Sequence, residues 1–179
     1  MVRFYDEGLT LLNCQINKEV ELMKYLLVID MQEDYVGTSR NVKMFPYKAE
    51  ELIQSINDKI SEYPKDAVIY IVNRYLWEFS NKPKQLVHGL FVISNNVFEK
   101  RKMSCFSNKK LIEFLEKADA NELELVGVDG NYCVGASAMD GAKKNFRIIF
   151  NEALVGVGNP AKFEKTKKKL KEIGGRSTP

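Results

Sequence analysis

The sequence has few of the residues that build metal sites and disulfide frameworks, and it contains no long hydrophobic run. It has one histidine and three cysteines among 179 residues. The cysteines are widely spaced and form no C-x-x-C pair, which argues against a structural zinc site and against a disulfide framework. The longest apolar runs, such as residues 26–29 and 90–93, fall far short of the roughly 20 residues that a transmembrane helix needs. We therefore predict a protein that uses no metal or other cofactor and does not enter a membrane.

Proline is also scarce, with five residues, while 45% of the chain is apolar and 28% is charged. This composition excludes collagen-like and disordered chains and is typical of a globular domain. The first apolar cluster, residues 9–12, follows Asp6 and Glu7 and is too short for a signal peptide. These features predict a cytoplasmic protein.

The excess of positive charge is confined to the C-terminal segment. The chain has 27 Lys and Arg against 24 Asp and Glu, a net charge of +3. Residues 161–179 contain seven basic and two acidic residues, so they carry +5 and the rest of the chain carries −2. A nucleic-acid-binding domain is expected to spread a basic stripe over its main fold. The distribution instead favours a solvated, lysine-rich helix face, and we predict no nucleic-acid partner.

From residue 23 onward, short apolar runs alternate with helical patterns, whereas residues 1–22 do not join this pattern. We interpret residues 1–22 as an N-terminal extension of uncertain status and residues 23–179 as a single domain. Strands are predicted at residues 25–29, 67–72, within 90–98, 123–128 and 146–150, and helices at 52–60, 108–118, 134–142 and 160–173. This alternation is typical of an α/β fold with three α/β/α layers around a mostly parallel, Rossmann-like sheet.

Three reactive side chains stand where predicted strands end. Asp30 ends the first strand, Lys100 follows the third, and Cys133 opens a helix after the fourth. Ligands of such sheets bind at the carboxyl ends of the strands, so we expect these residues to meet. An aspartate can accept the proton of a thiol, and a lysine beside both stabilises the charged pair. An activated Cys133 is then expected to alkylate well below pH 8.5, roughly the pKa of a free thiol.

The local motifs around these residues resemble those of the isochorismatase-like cysteine hydrolases, which include nicotinamidases, N-carbamoylsarcosine amidase and isochorismatase. The matching stretches are LVIDMQEDY at 27–35, Lys100 followed by SCF at 104–106, and GVDGNYCV at 127–134. The resemblance covers about residues 24–173 and implies the same fold. It also implies that Cys133 is the nucleophile of a thioester mechanism, that Asp30 is the general acid and base, and that Lys100 lowers the pKa of both.

The resemblance extends to the surroundings of the nucleophile. It implies a cis peptide bond between Val128 and Asp129, and an oxyanion hole formed by the backbone amides of Asp129 and Cys133. Tyr35, Trp77 and Phe106 are the candidates for a flat, apolar substrate pocket. The substrate would be a small amide or ureido compound, and the chain would assemble as a homo-oligomer.

The sequence also departs from the family pattern. Nicotinamidases hold a metal through an Asp and several His residues after the second strand, but the stretch 71–78 contains neither. The resemblance therefore implies metal-independent hydrolysis of a C–N bond. In the nucleophile loop, Asp129 stands where the family usually has a small neutral residue, and Gly130 stands where it usually has Thr or Ser. The segment 77–100 is also short. These features leave open an alternative, a weak or inactive family member that acts as a binding or assembly protein.

Overall fold

The computed structural model describes residues 23–178, so the predicted extension over residues 1–22 lies outside the described residues. In this described part of the chain, six strands form one sheet in the order β3-β2-β1-β4-β5-β6, and every neighbouring pair is parallel. The strands are β1 (Lys24–Ile29), β2 (Val68–Asn73), β3 (Val97–Lys100), β4 (Glu122–Val128), β5 (Arg147–Gly156) and β6 (Arg176–Thr178). The predicted α/β fold class with a Rossmann-like parallel sheet is confirmed.

Within residues 23–178, five α-helices cover the sheet: α1 (Glu33–Val36), α2 (Ala49–Ser61), α3 (Lys109–Lys117), α4 (Cys133–Lys143) and α5 (Pro160–Glu172). Leu26 and Val28 of β1 pack in one core with α2, whereas Leu27 and Ile29 pack in a second core with α3, α4 and α5. Because the central strands are buried on both faces, they are continuous apolar runs rather than alternating ones. No helix within residues 23–178 is both long and apolar enough to cross a membrane.

The third strand lies later than predicted, at Val97–Lys100. Residues 91–93 are a loop with half-exposed side chains rather than a strand. The Tyr70 hydroxyl donates to the carbonyl of Phe91 and accepts from the N–H of Ile93, while Asn57 accepts from the N–H of Phe91. Side chains thus satisfy this backbone, and pairing with β2 begins only at Val97.

The chain order of the strands reverses at β1, which has β2 on one side and β4 on the other. In open parallel sheets, ligands bind in the crevice beyond the carboxyl ends of the strands at this switch point. Asp30 directly follows β1, and residues 129–132 link β4 to α4, which begins at Cys133. The topology therefore brings both predicted segments to the same crevice.

Candidate active site

The three predicted catalytic side chains meet at this crevice. The Nζ of Lys100 lies 2.9 Å from Oδ2 of Asp30 and 3.2 Å from Sγ of Cys133. Lys100 ends β3, two strands away from β1, and its side chain reaches the crevice through the interior with no exposed surface. A buried ammonium is tolerated only when its charge is paired and its N–H groups are bonded. The expectation that these three residues lie together is met.

A third acceptor completes the surroundings of Lys100. The side-chain oxygen of Asn73, the last residue of β2, lies 3.2 Å from Nζ. A lysine ammonium has three N–H groups, and Asp30, Cys133 and Asn73 provide an acceptor for each. Asn73 was not among the predicted site residues, although its position at the end of β2 was a signal that could have indicated it.

Asp30 keeps one carboxylate oxygen free. Its Oδ1 is buried and has no hydrogen-bond partner among the described residues, and the side chain lines a cavity. The backbone of Asp30 has φ +55, a left-handed conformation that aspartate tolerates better than most residues. Its N–H donates to the carbonyl of Ile71 in β2, which holds this turn against the sheet. The free oxygen is therefore available to take a proton.

Burial dominates the protonation of this cluster. It raises the pKa of Asp30, although the positive charge of Lys100 acts in the opposite direction. Burial and then the charge of Asp30 raise the pKa of Cys133 to about 12, again against Lys100. Burial disfavours the Lys100 ammonium, but the charges of Asp30 and Cys133 outweigh it and raise its pKa. Lys100 acts to lower the pKa of both Asp30 and Cys133, as the resemblance implied, but burial outweighs this effect and both pKa values are raised.

The loop before Cys133 presents two free backbone donors. The peptide bond between Val128 and Asp129 is cis. Among the hydrogen bonds of residues 23–178, none uses the N–H of Asp129 or of Cys133. Cys133 is the first residue of α4, and N–H groups at a helix start have no partner within the helix and attract negative charge. These are the two donors that the resemblance assigns to an oxyanion hole.

The carboxylate of Asp129 is held by three donors. Its Oδ2 accepts from the Tyr47 hydroxyl at 2.8 Å and from the N–H of Gly158 at 2.9 Å, and its Oδ1 accepts from the N–H of Asn131 at 2.5 Å. Hydrogen bonds to a carboxylate stabilise its charge and fix its orientation. The carboxylate thus ties the loop before Cys133 to the loops that carry Tyr47 and Gly158.

A cavity of about 640 Å³ opens above the cluster and is lined by Asp30, Asn73, Asp129 and Cys133. Its walls are mostly aromatic and aliphatic, with Arg101 and Lys102 beside them. The wall residues are Tyr35, Met44, Phe45, Tyr47, Tyr75, Leu76, Met103, Val128 and Tyr132. The cavity has the size and character typical of a small-molecule site.

Of the three predicted pocket residues, only Tyr35 lines this cavity. Phe106 is buried in the core at 5% exposure and stacks on Phe146 with ring centroids 5.6 Å apart, because its 3-10 turn faces α4 rather than the crevice. Trp77 is 69% exposed and stacks outside the cavity on Tyr75 at 4.6 Å. Phe106 and Trp77, predicted as pocket residues, therefore do not line this cavity in the structure.

The isochorismatase domain family matches residues 24–178, so the chain belongs to the isochorismatase family. The prediction that it is a hydrolase of this family is confirmed. No curated protein matches the chain.

Solved structures of this class share the fold. PnC1 of L. infantum, solved with nicotinate, has a TM-score of 0.72 at 21% identity and covers 87% of this chain and 91% of its own. The N-carbamoylsarcosine amidase of Thermoplasma acidophilum has a TM-score of 0.69 at 19% identity, covering 87% and 95%. The pyrazinamidase of Pyrococcus horikoshii, solved with zinc, has a TM-score of 0.63 at 20% identity, covering 87% and 98%.

The residues that follow β2 do not fit a metal ion. Within residues 23–178, no three Asp, Glu, His or Cys side chains lie together as a metal-binding group. Arg74 comes directly after Asn73, and its guanidinium is buried, donating to Glu99 and to the carbonyls of Ser80 and Lys82. A fixed buried cation at this position disfavours a second cation beside it.

Proposed function

We propose that the protein is a metal-independent cysteine hydrolase that cleaves the C–N bond of a small amide or ureido substrate through a thioester intermediate. The observation that carries the proposal is the buried contact of Lys100 with both Asp30 and Cys133, beside a free Asp30 oxygen that lines the cavity. Membership of the isochorismatase family supports the hydrolytic class. The residues after β2 do not form a metal site, so the chemistry is assigned to side chains of the chain.

The first half-reaction transfers the acyl group to Cys133. Because burial keeps its pKa high, Cys133 is a thiol at neutral pH, and Asp30 takes its proton as the sulfur attacks the carbonyl carbon. The carbon–sulfur bond forms, and the carbonyl oxygen becomes an oxyanion. The tetrahedral adduct then collapses, the C–N bond breaks, and Asp30 returns the proton to the leaving nitrogen. For a primary amide the products of this step are a thioester and ammonia.

The second half-reaction hydrolyses the thioester. Asp30 takes a proton from water as the water oxygen attacks the thioester carbonyl. The new adduct breaks its carbon–sulfur bond and releases a carboxylic acid, and the Asp30 proton returns to the Cys133 sulfur. The raised pKa of Asp30 makes it a stronger base than an ordinary carboxylate in both steps.

The N–H groups of Asp129 and Cys133 are the donors for the oxyanion in both adducts. In acyl transfer, removal of one such donor slows the reaction about 100- to 1,000-fold. The Lys100 ammonium adds a positive charge next to the sulfur and keeps Asp30 ionised between proton transfers. The cavity would take the body of a small molecule, with its apolar walls against the apolar part of the substrate.

The arrangement of Asp129 favours catalysis over the alternative of an idle binding or assembly protein. A carboxylate beside the oxyanion hole would repel an anionic adduct, but three hydrogen bonds hold this one and partly offset its charge. A cavity of about 640 Å³ also lies above the cluster, although the segment 77–100 is short. A homo-oligomeric assembly and a cytoplasmic location remain predictions from the sequence.

The proposal is tested by ammonia release from a panel of primary amides and ureido compounds that includes nicotinamide, pyrazinamide and N-carbamoylsarcosine. Cys133→Ala and Asp30→Asn should each abolish release, and rapid quenching followed by mass spectrometry should find the acyl group on Cys133. Cys105→Ala is the matched control, since Cys105 is the other described cysteine and is fully buried. Activity that survives Cys133→Ala, or a folded wild type that hydrolyses none of the panel, would contradict the proposal and favour the alternative.

A further inference from the structure

Asn73 uses all of its polar groups in the interior of the site. Its side chain is buried at 7% exposure, at the end of β2 between β1 and β3. Its backbone N–H donates to the side-chain oxygen of Gln32, and its carbonyl accepts from the side-chain nitrogen of Gln32 at 3.2 Å. Its Nδ2 donates to the Tyr35 hydroxyl at 2.9 Å, and its Oδ1 accepts from Lys100 at 3.2 Å.

These contacts fix the orientation of the Asn73 amide. The Lys100 ammonium can only donate, so the amide oxygen must face it, and Nδ2 then donates to the Tyr35 hydroxyl. A flipped amide would place two donors against each other at the Lys100 contact. The Gln32 side chain is hydrogen-bonded to both the N–H and the carbonyl of Asn73. These two bonds hold the backbone of Asn73 in place and so limit movement of its side-chain amide away from Lys100. The structure therefore selects an oxygen, and not merely a polar atom, at the third N–H of Lys100.

The neutrality of this oxygen matters because the charged groups of Lys100 and Asp30 are buried. Lys100 brings one positive charge to a site in which Asp30 and the Cys133 sulfur both compete for it. Electrostatic interactions in such an interior are much stronger than in water. A carboxylate in place of the amide would be a third negatively charged group beside the Lys100 ammonium. It would disfavour negative charge on Asp30 and Cys133. The neutral amide oxygen of Asn73 accepts a hydrogen bond from Lys100 but adds no negative charge beside the ammonium.

We propose that Asn73 is a positioning residue of the site: its amide oxygen anchors the Lys100 ammonium as a neutral third acceptor, so that the charge of Lys100 acts only on Asp30 and Cys133. The catalytic meaning of this role rests on the proposed function, whereas the geometry does not depend on it. Tyr35 is part of the same hydrogen-bonded arrangement, because its hydroxyl accepts from Nδ2 of Asn73 and so orients the amide. The sequence predicted Tyr35 only as a wall of the pocket, so its contact with Asn73 is a second role that the sequence did not indicate.

Several other titratable or charged groups surround the cluster. Those that face it from the packed elements are Tyr35 of α1, Tyr47 and Asp129 of the cavity loops, Tyr75 after β2, Cys105 before α3, and Arg101 and Lys102 after β3. Cys105 is fully buried, and burial raises its pKa to about 12, so it stays neutral. The variants below leave all of these groups in place except the Tyr35 hydroxyl.

The test measures the rate of iodoacetamide alkylation of Cys133 by mass spectrometry, from pH 7 to pH 10, in the full chain. Asn73→Asp conserves shape and adds a carboxylate at the Lys100 contact. We expect alkylation at pH 8 to slow about tenfold, the effect of a one-unit rise in the thiol pKa. Tyr35→Phe removes the group that orients the amide, and we expect about fivefold slower alkylation.

Asn57→Asp is the matched control. Asn57 is also a buried asparagine with both side-chain groups hydrogen-bonded, to Gly89 and Phe91, but it lies on α2 away from the cluster. It should lower the melting temperature and leave the alkylation profile unchanged. If folded Asn73→Asp gives the wild-type profile, the proposal is wrong. If Asn73→Asp does not fold, Tyr35→Phe decides, and an unchanged profile there overturns the proposal. Because alkylation needs no substrate, a shifted profile in a protein that hydrolyses no amide would support this inference while contradicting the proposed function.

Discussion

The Tyr47 hydroxyl donates a 2.8 Å hydrogen bond to the carboxylate of Asp129, and this bond joins a wall of the cavity to the loop that precedes Cys133. The two residues are 82 positions apart in the chain. Asp129 also carries one of the two N–H groups that we assign to the oxyanion hole. The bond therefore couples the shape of the cavity to the position of a donor for the reacting oxygen.

Removal of this bond by Tyr47→Phe should reduce kcat more than it changes KM. The ring that lines the cavity stays, whereas Asp129 loses one of three donors and its loop is held less tightly. We expect kcat for amide hydrolysis to fall about tenfold, a fraction of the loss seen when an oxyanion donor is removed outright. Steady-state kinetics of ammonia release provide the measurement.

Tyr63→Phe is the control for that experiment. Tyr63 also donates to a buried carboxylate, that of Glu124, but at the opposite end of β4 from Cys133. Tyr63→Phe should lower the free energy of unfolding by about as much as Tyr47→Phe does, about 1–2 kcal/mol, and should leave kcat unchanged. Equal kcat values for both variants would show that the Tyr47 hydrogen bond has no catalytic role.

Replacement of Lys100 by methionine should suppress the reactivity of Cys133. The side chain keeps its length, but Asp30 loses the charge that favours its ionised form, and Cys133 loses the ammonium that opposes its high pKa. We expect alkylation at pH 8 to slow at least about tenfold, and the free energy of unfolding to fall by about 3–5 kcal/mol because Asp30 is left buried and unpaired. Urea unfolding and the alkylation assay measure the two effects.

Lys110→Met on the exposed side of α3 is the comparison for Lys100→Met.

In the wild type, Cys133 should react with a midpoint well above pH 8.5, because its pKa is raised to about 12, and the fully buried Cys105 should not react in the native state. A midpoint below pH 8.5 for Cys133 would contradict the protonation scheme derived from burial.

Replacement of Gly127 by alanine should destabilise the sheet strongly. Gly127 has φ +112, and a Cβ atom there would lie 2.1 Å from the carbonyl oxygen of Ile29 in β1. The substitution therefore combines backbone strain with a clash that only a shift between β1 and β4 can relieve. We expect a loss of about 3 kcal/mol or more in the free energy of unfolding, measured by urea denaturation.

Gly89→Ala separates the two contributions. Gly89 has φ +86, but no atom lies within 4 Å of an added Cβ. The free energy of unfolding of Gly89→Ala should therefore fall only by the cost of a positive φ at alanine, about 1–2 kcal/mol. If both variants lose the same amount, the close approach of β1 and β4 at Gly127 contributes nothing.

Glu124 should account for part of the acid sensitivity of the fold. It is buried, accepts from Lys24 at 2.8 Å and from Tyr63 at 2.5 Å, and these partners lower its pKa against the effect of burial. A folded-state pKa below the unfolded value means that its contribution is complete above about pH 4.5 and disappears as the pH falls through the folded-state pKa. Glu124→Gln should lower stability by about 1–3 kcal/mol at pH 7 and flatten the loss of stability below pH 4.5.

Glu113→Gln, on the exposed side of α3, is expected to leave both the stability at pH 7 and its decline in acid unchanged. Thermal melts from pH 3 to pH 7 compare the three proteins. A decline in Glu124→Gln as steep as in the wild type would assign the acid sensitivity to other carboxylates.

The sequence by itself was sufficient for the fold class and for the expectation that Asp30, Lys100 and Cys133 meet in the crevice. Continuous apolar runs ending in Asp30, and before Cys133, are what strands buried on both faces require, and the parallel order then brings their carboxyl ends together. Lys100 was identified by its motif, although the strand before it begins only at Val97. These features depend on local pattern and on rules that hold for every parallel sheet.

Only the tertiary structure decided the protonation of the site and the residues around it. Cys133 and Asp30 have raised pKa values because of burial, which depends on every element packed around them and not on their neighbours in the chain. Trp77 lies outside the cavity and Phe106 in the core, since the direction of an aromatic side chain depends on the turn that carries it. The side chains of Asn73 and Lys100 are in contact although the two residues are 27 positions apart in the chain. No local pattern encodes this contact, because it exists only after three strands have paired.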